Sequence, residues 1–288
     1  MERIESILVA TDMSKASDAA IIHAARLASD AKAPLRVLHV SSAKDSELLG
    51  SIMPDIKDSS ETYFREQATQ ALQSRLSDLG LAVEPEVEVR VGKPHKEIVN
   101  AIEETKANLL VLGATGQGGR RLGTVGGRCL RVSPVSVLQI PEGHADRFKS
   151  IVACIDFTDN SKEVLRQANV MANYEQADLH ALYVYHIPDI SPFFSSKSSD
   201  MDAIKEYPNM VASRYKEQIE PAAGGREISL SLTEHIDYTK GILEHVHRSK
   251  VDLIVVGLTK RTKLGYAIIG TTAEKVIRDS DGAVLVVN

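Results

Sequence analysis

Short runs of apolar residues alternate along the chain with longer stretches in which apolar positions recur at helical spacing. The runs at Ile7 to Val9 and Ile151 to Ile155 are continuously apolar, which is typical of buried strands. Helical stretches follow at Ser17 to Ala31 and at Ser161 to Tyr174. Each half of the chain therefore begins with a predicted strand followed by a predicted helix.

The two halves continue with the same order of elements. Ser14 and Thr158 are the expected N-cap residues of the first helices. The next predicted elements of the first half are strands at Leu35 to Val40, Val87 to Val91 and Val135 to Ile140, and helices at about Ser59 to Leu79 and His95 to Glu104. Those of the second half are strands at Leu179 to Tyr185, Ile228 to Leu232 and Ala283 to Val287, with helices at Gly241 to Ser249 and within Asp200 to Ile219, where Pro208 interrupts the helix.

This order predicts the fold class. Strands that alternate with helices and are mostly apolar throughout form parallel sheets covered on both faces. We therefore expect an α/β protein with two consecutive doubly wound, open, five-stranded parallel sheets.

The chain is an internal duplication. SILVATDMSKAS from Ser6 resembles SIVACIDFTDNS from Ser150, and ANLLVLGATGQGG from Ala107 resembles VDLIVVGLTKRTK from Val251. Asp12 and Asp156 are 144 residues apart, and so are Gly113 and Gly257. One offset shared by two separate motifs predicts domains at residues 1–144 and 147–288. The polar segment from Pro141 to Lys149 is the predicted junction.

Composition excludes several classes of protein. The net charge of −5 argues against non-specific binding of nucleic acid, and no apolar run approaches the roughly 20 residues of a membrane span. The N-terminus carries a charge pair where a signal peptide would be basic and then apolar. Cys129 and Cys154 form no CxxC motif and are expected to be small buried residues. We expect a cytoplasmic protein that binds neither nucleic acid nor a membrane.

The candidate site lies at the carboxyl ends of the strands. Asp12 and Asp156 follow the first strand of each half. Gly113 and Gly257 follow the apolar runs LLVL and LIVV, which are the predicted fourth strand of each half and precede a glycine-rich loop, a helix and the last strand. Ligands of open parallel sheets bind at this edge. Glycines let the backbone approach a phosphate, the next helix N-terminus supplies N–H donors, and a buried acid can bind adenine or ribose.

These motifs resemble the universal stress protein family over essentially the whole chain, twice. The resemblance is carried by the Asp-x-Ser/Thr-x-x-Ser loop, by Gly92-Lys93-Pro94 and by the glycine loop before Pro134-Val135-Ser136-Val137. It implies that the halves pair through their last strands as an intramolecular pseudo-dimer. ATP-binding members of this family carry G-x2-G-x9-G-[ST] after the fourth strand.

Two alignments place that motif in the first half. Gly113, Gly116 and Gly126 fit the spacing, but Gly127 replaces the hydroxyl residue. Alternatively, Gly123-Thr124 matches Gly270-Thr271 at an offset of 147, which shortens the loop instead of the helix. The second alignment is slightly favoured. The predicted nucleotide-binding residues of the first half are Asp12, Val40, Gly113, Gly116, Gly123, Thr124, Gly126 and Gly127.

The second half is the weaker predicted site. Gly257, Gly270 and Thr271 have the required spacing, but Lys260 replaces the second glycine and either blocks a phosphate or pairs with it. The predicted binding residues are Asp156, Gly257, Lys260, Gly270 and Thr271.

No catalytic or metal-binding residue is assigned. The chain has no Walker A motif, no GxGxxG and no Gly-x-Ser-x-Gly elbow. His245 and His247 point to different helix faces, and His180, His186 and His235 are not assigned to a shared metal site. Phe193-Phe194 is interpreted as a local packing anchor.

Three functional hypotheses follow. The first is a stress-response regulator that binds ATP or AMP, with or without Mg²⁺, and has no strong catalytic activity. The second is a slow ATPase. The third is a nucleotide-free interaction or small-ligand-binding protein. A homodimer of the tandem protein is compatible with each of them.

Overall fold

The computed structural model describes residues 1–42, 48, 51–52, 60–114, 124–188, 198–258, 260–261, 267–268 and 270–288. The first half contains strands β1 (Ile7–Thr11), β2 (Leu35–Ser42), β3 (Glu86–Gly92), β4 (Leu109–Gly113) and β5 (Ser136–Ile140), and helices α1 (Lys15–Ala31), α2 (Ser60–Ser77), α3 (Pro94–Thr105) and α4 (Thr124–Val132). The second half contains strands β6 (Ser150–Cys154), β7 (Asp178–Tyr185), β8 (Ser229–Glu234), β9 (Leu253–Gly257), β10 (Lys260–Arg261), β11 (Ala267–Ile268) and β12 (Ala283–Val287), and helices α5 (Ser161–Glu175), α6 (Ser198–Gln218), α7 (Tyr238–Ser249) and α8 (Thr271–Asp279). A short 3-10 helix spans Glu220–Ala223.

The main sheet has ten strands in the order β3-β2-β1-β4-β5-β12-β9-β6-β7-β8. Neighbours are parallel within each half, which confirms the α/β fold with two five-stranded units. The units are continuous rather than separate, because β5 and β12 pair antiparallel, with Leu138 opposite Leu285. The two last strands therefore join the halves, as the family resemblance implied.

Helices cover both faces of this sheet. On one face, α1 and α5 pack on the strands of both halves. Leu27 of α1, Met171 of α5 and Leu285 of β12 belong to the core of this face. The opposite face is apolar as well, with Ile98 of α3, Leu130 of α4 and Ile277 of α8 in its core. Burial on both faces accounts for the continuously apolar strands in the sequence.

Two local predictions are wrong. Ser14 caps α1 as expected and accepts a hydrogen bond from the Ser17 amide, but Thr158 does not cap α5. That helix begins at Ser161 after Asn160, and the Thr158 hydroxyl donates to Asp156 instead. Pro208 lies inside α6 and does not interrupt it, since the turns that follow are held by buried Val211 and Tyr215.

Candidate ligand-binding site

The loop after the first strand of each half is closed by an aspartate. In the first half, Asp12 Oδ1 accepts hydrogen bonds from the Ser14 amide at 3.0 Å and the Ser17 hydroxyl at 2.6 Å. In the second half, Asp156 Oδ1 accepts from the Thr158 amide at 3.0 Å and the Ser161 hydroxyl at 2.9 Å. The repeated motif is therefore a turn whose hydrogen bonds fix the carboxylate at the end of the strand.

The two loops share a further backbone feature. Met13 and Phe157, which directly follow the two aspartates, have φ of 61° and 59°. Positive φ is unfavourable for any residue other than glycine. The hydrogen bonds of the surrounding loop must offset this cost in free energy. The same conformation at equivalent positions shows that the duplication preserved the loop in detail.

The two aspartates differ in exposure. Asp12 is half-buried and Asp156 is exposed, so the prediction of a buried acid is wrong for the second half. Among the described residues, Asp156 Oδ2 receives no hydrogen bond. Asp156 therefore offers one oxygen to the loop and the other to a ligand.

Gly113 and Gly257 have a structural role. A Cβ at Gly113 would lie 2.9 Å from the backbone of Ala16 and Ser17, and one at Gly257 would lie 2.6 Å from Asn160. Both glycines let the end of a strand pass beneath the first turn of a helix. Close packing of strand and helix accounts for glycine here without any ligand.

A cavity of about 420 Å³ lies at the carboxyl ends of β6, β7 and β9. This is the edge where the strand order of the second half reverses, between β6 and β9. Asp156, Gly257, Gly270 and Thr271 line the cavity, so four of the five predicted residues of this half meet there. Its remaining wall is mostly apolar and is formed by Cys154, Ile155, Leu182, Tyr183, Val184, Tyr238, Ile242, Val256, Thr272, Ala273 and Val276.

One end of the cavity is the N-terminus of α8. Gly270 is its N-cap and has no side chain to cap the helix. Thr271, Thr272 and Ala273 of the first turn line the cavity. The first amides of a helix lack partners within the helix and carry a partial positive charge, so this end of the cavity favours an anion.

Lys260, the fifth predicted residue, lies in β10. Its backbone pairs antiparallel with Ile268 of β11, so the segment between β9 and α8 includes a two-stranded ladder. β11 contacts α4 of the first half. The backbone of Lys260 therefore belongs to a small ladder near the junction of the halves.

The glycine segment of the first half follows the second of the two alignments. α4 begins at Thr124 and α8 at Thr271, and each helix has nine residues. Gly126 and Gly127 consequently lie inside α4 and match Ala273 and Glu274. Gly116 and Gly123 lie outside the described residues, so this half's phosphate loop is not placed.

Each half matches one protein family over almost its whole length. A sequence profile of the Universal stress protein family matches residues 3–141 and again residues 147–288. Universal stress protein MJ0531 of Methanocaldococcus jannaschii is 30% identical over 145 residues, which are 49% of this chain and 82% of that protein. The chain belongs to the universal stress protein family.

Solved structures have the same tandem fold. A universal stress protein from Archaeoglobus fulgidus DSM 4304 superposes with a TM-score of 0.67 at 20% identity, over 98% of each chain. A functionally unknown protein, PA1789 from Pseudomonas aeruginosa PAO1, gives 0.67 at 17% identity, over 99% of this chain and 93% of that one. The fold of this chain, with two α/β units side by side, is therefore also found in proteins of these two organisms.

Sequence reasoning missed several cavity residues of this universal stress protein. Val184 lies 144 residues after Val40, so the repeat alone would have identified it. Tyr183 and Tyr238 had no such signal, because His39 and Pro94 stand at the matching positions of the first half. The aromatic wall is thus specific to the second half.

Tyr183 of that wall belongs to an aromatic cluster. The rings of Phe157 and Tyr183 meet edge to face with centroids 5.0 Å apart, and those of Tyr185 and Tyr207 are 5.3 Å apart. Burial and a hydrogen bond with the Tyr207 hydroxyl raise the pKa of Tyr183 to about 12. Tyr183 therefore stays uncharged at neutral pH, and the neighbouring rings fix its position.

The sequence left open whether His180, His186 and His235 meet in space, and the structure pairs His180 with a different histidine. His180 pairs with His245 of α7, with 2.8 Å between their Nε2 atoms, whereas His235 accepts a hydrogen bond from the Asp237 amide. Burial lowers the pKa of His180, and burial with the charges of His180 and Arg248 lowers that of His245 to about 4. Both rings are therefore neutral at pH 7.

Two features of the described part of the chain bear on other predictions. No three His, Cys, Asp or Glu side chains converge there as metal ligands. No helix there is long and apolar enough to cross a bilayer. Phe193 and Phe194 lie outside the described residues.

Proposed function

We propose that this universal stress protein binds an adenine nucleotide, ATP or AMP, and acts as a stress-response regulator without strong catalytic activity. The observation that carries the proposal is the second-half cavity of about 420 Å³, which combines apolar walls with Asp156 and the N-terminus of α8. Its volume lies within the range of small-molecule sites.

The cavity matches the parts of a nucleotide. Leu182, Val184 and Ile242 offer an apolar surface to a base, and Tyr183 offers a ring for stacking. Asp156 Oδ2 can accept a hydrogen bond from the adenine amino group or a ribose hydroxyl. The first turn of α8 would receive the phosphates.

Magnesium fits this proposal as a companion of the triphosphate. Mg²⁺ is usually bound through one or two carboxylates, substrate phosphates and several waters. Since no cluster of three metal-ligating side chains occurs in the described segments, the phosphates and water would supply most of its ligands.

We extend the proposal to the first half, where Asp12 and Val40 are the counterparts of Asp156 and Val184. Two bound nucleotides per chain are expected. Domain boundaries at residues 1–144 and 147–288, a cytoplasmic location and a homodimer of the tandem protein stay predictions.

Calorimetric titration with ATP and AMP tests the second-half site through Asp156→Asn. The variant keeps an Oδ1 acceptor for Thr158 and Ser161 but replaces Oδ2 by an N–H donor. Loss of a charge-assisted hydrogen bond, roughly 1.5–3 kcal/mol, should weaken one of the two sites by about ten- to a hundredfold.

Asp159→Asn is the matched control. Asp159 is exposed in the same loop and does not line the cavity. Its substitution therefore removes the same charge at a neighbouring position. Equal weakening by both variants would attribute the effect to net charge and refute the assignment of Asp156. Asp12→Asn should weaken the first-half site alone.

The same preparation decides between the hypotheses. Titrations without heat for either nucleotide, together with a native mass spectrum without bound nucleotide, would overturn the proposal in favour of a nucleotide-free interaction protein. Turnover of ATP well above the uncatalysed rate would identify a slow ATPase instead.

A further inference from the structure

The pair formed by His180 and His245 lies apart from the nucleotide cavity. The two Nε2 atoms are 2.8 Å apart, and the ring planes are inclined by 50°. His180 lies four residues before Val184 of the cavity wall, a distance of roughly 13 Å along β7. The pair therefore requires an explanation of its own.

Its position is unusual for polar side chains. His180 shares a face of β7 with Leu182 and Val184, and His245 follows Ile242 by one turn of α7. Leu182, Val184 and Ile242 belong to one apolar core, and His245 is only 5% exposed. Two imidazoles thus replace apolar contacts between a strand and a helix.

The fold does not need this pair. In the first half, the matching positions are occupied by Arg36 and Ala101. Arg36 forms ion pairs with Glu86 and Glu88 of the neighbouring strand, and Ala101 is fully buried. The same strand and helix pack well without a histidine, so the pair is a feature of the second half alone.

Solvent reaches the two rings through an open cavity of about 920 Å³, which both histidines line. Four serines, Ser150, Ser229, Ser231 and Ser249, line it as well. The cavity has room for water molecules beside the rings, and the hydroxyls can hydrogen-bond to them.

We propose that His180 and His245 form a binding site for a divalent transition-metal ion, with Zn²⁺ as the representative. Neutral imidazole is the protein ligand that Zn²⁺, Cu²⁺ and Ni²⁺ share. Two Nε2 ligands on a tetrahedral Zn²⁺ with bonds of about 2.0–2.1 Å lie ~3.4 Å apart. The pair therefore needs to open by about half an ångström from its hydrogen-bonded distance.

Binding requires one internal rearrangement. In the present pair, one Nε2 carries a proton and donates it to the other. To bind a metal through both Nε2 atoms, the donor ring moves its proton to Nδ1, and no net proton is released. Water completes the coordination, since no third His, Cys, Asp or Glu ligand joins the pair in the described part of the chain. The metal ion at such a site is therefore exchangeable.

The first test uses the unmodified full chain in nucleotide-free buffer. Histidine ring signals are followed by NMR during titration with Zn²⁺. The assigned signals of His180 and His245 should shift together and saturate at one equivalent. Shifts confined to other histidines, or no shift at any of the nine, would overturn the proposal.

The second test measures Zn²⁺ affinity by calorimetry in three variants. Loss of an outer-shell partner already weakens metal sites by about 10–100-fold, so losing one of two ligands should cost at least about tenfold. His180→Ala and His245→Ala should both show this loss. His247→Ala is the matched control, because His247 is exposed on the same helix, and it should bind as the wild type does. Equal affinity in all four proteins would refute the site.

Discussion

At the scale of single residues, the aspartates show how one side chain combines structure with a candidate function. Asp12 and Asp156 each use Oδ1 to hold the loop in which they lie. The first strand of each half can therefore end at a fixed carboxylate. Because the motif is explained locally as a turn, its presence alone does not show that a half binds a ligand.

The cysteines give a prediction at the same scale. Cys129 is fully buried as expected, but Cys154 is half-buried and lines the proposed nucleotide cavity. Burial raises the pKa of both thiols to about 12. Since only the thiolate reacts, alkylation of the folded protein at pH 8 should be slower than in urea by about three orders of magnitude.

Bound nucleotide adds an internal comparison to that experiment. AMP or ATP should slow alkylation of Cys154 further in the wild type, but less so in Asp156→Asn at the same nucleotide concentration, as measured by peptide mass spectrometry. Equal protection of Cys154 in both proteins would indicate general stabilisation rather than occupancy of the cavity. Rapid alkylation of folded protein would contradict the raised pKa values.

At the scale of elements, helices α1 and α5 meet through a buried ionic cluster. Glu175 Oε1 lies 3.0 Å from His23 Nε2, and Oε2 lies 3.0 Å from Arg26. The amide of Phe148, within the segment that joins the halves, donates to the same carboxylate. Both the His23 and the Glu175 side chains are 0% exposed. One carboxylate thus joins a helix of each half to the connecting segment.

This cluster predicts an acid-sensitive contact between the halves. Burial raises the pKa of Glu175, but His23 and Arg26 outweigh it and lower the pKa overall. A lowered pKa means that the stabilisation is complete above about pH 4.3, the unfolded value, and is lost as the pH falls through the folded one. Glu175→Gln should lower the unfolding free energy by about 3–5 kcal/mol at pH 7.

Urea unfolding between pH 7 and pH 3 provides the measurement. The difference between wild type and Glu175→Gln should shrink toward the acid end, because the wild type loses the same charge there. Glu217→Gln, on an exposed surface of α6, should change stability by less than about 0.5 kcal/mol. A difference that stays constant with pH would contradict the ionic explanation.

The sequence predicts features that depend on residues close together in the chain. It leaves open the contacts between residues that are far apart in the chain. The order of elements depends on local patterns, and the offset between Asp12 and Asp156 revealed the two halves. The aromatic wall and the His180–His245 pair bring together side chains far apart in sequence, with no counterpart in the other half. No periodicity records such contacts, so only the structure shows them.

At the scale of the whole molecule, the β5–β12 pairing makes one core of two domains. The end of the sheet differs from its middle. The end strand β3 carries Glu86, Glu88 and Arg90, and these charges oppose the addition of a further strand. The middle strand β12 is buried throughout. We call the β5–β12 pairing the seam. Leu138 and Leu285 lie opposite each other across it, and both are 0% exposed. A disturbance at the seam should therefore reach both halves.

Leu285→Ala tests this coupling. The substitution leaves a cavity in the shared core and should lower the unfolding free energy by about 2–5 kcal/mol, with one cooperative calorimetric transition retained. Native-state hydrogen exchange should show the same loss of protection in β1 of the first half and in β9 of the second, because both open only with the seam. Met210→Ala, at a side chain that is 60% exposed, is the control and should stay within about 0.5 kcal/mol of the wild type. If Leu285→Ala reduced protection in the second half alone, the halves would be independent folding units, and the continuous sheet would join them without coupling their stabilities.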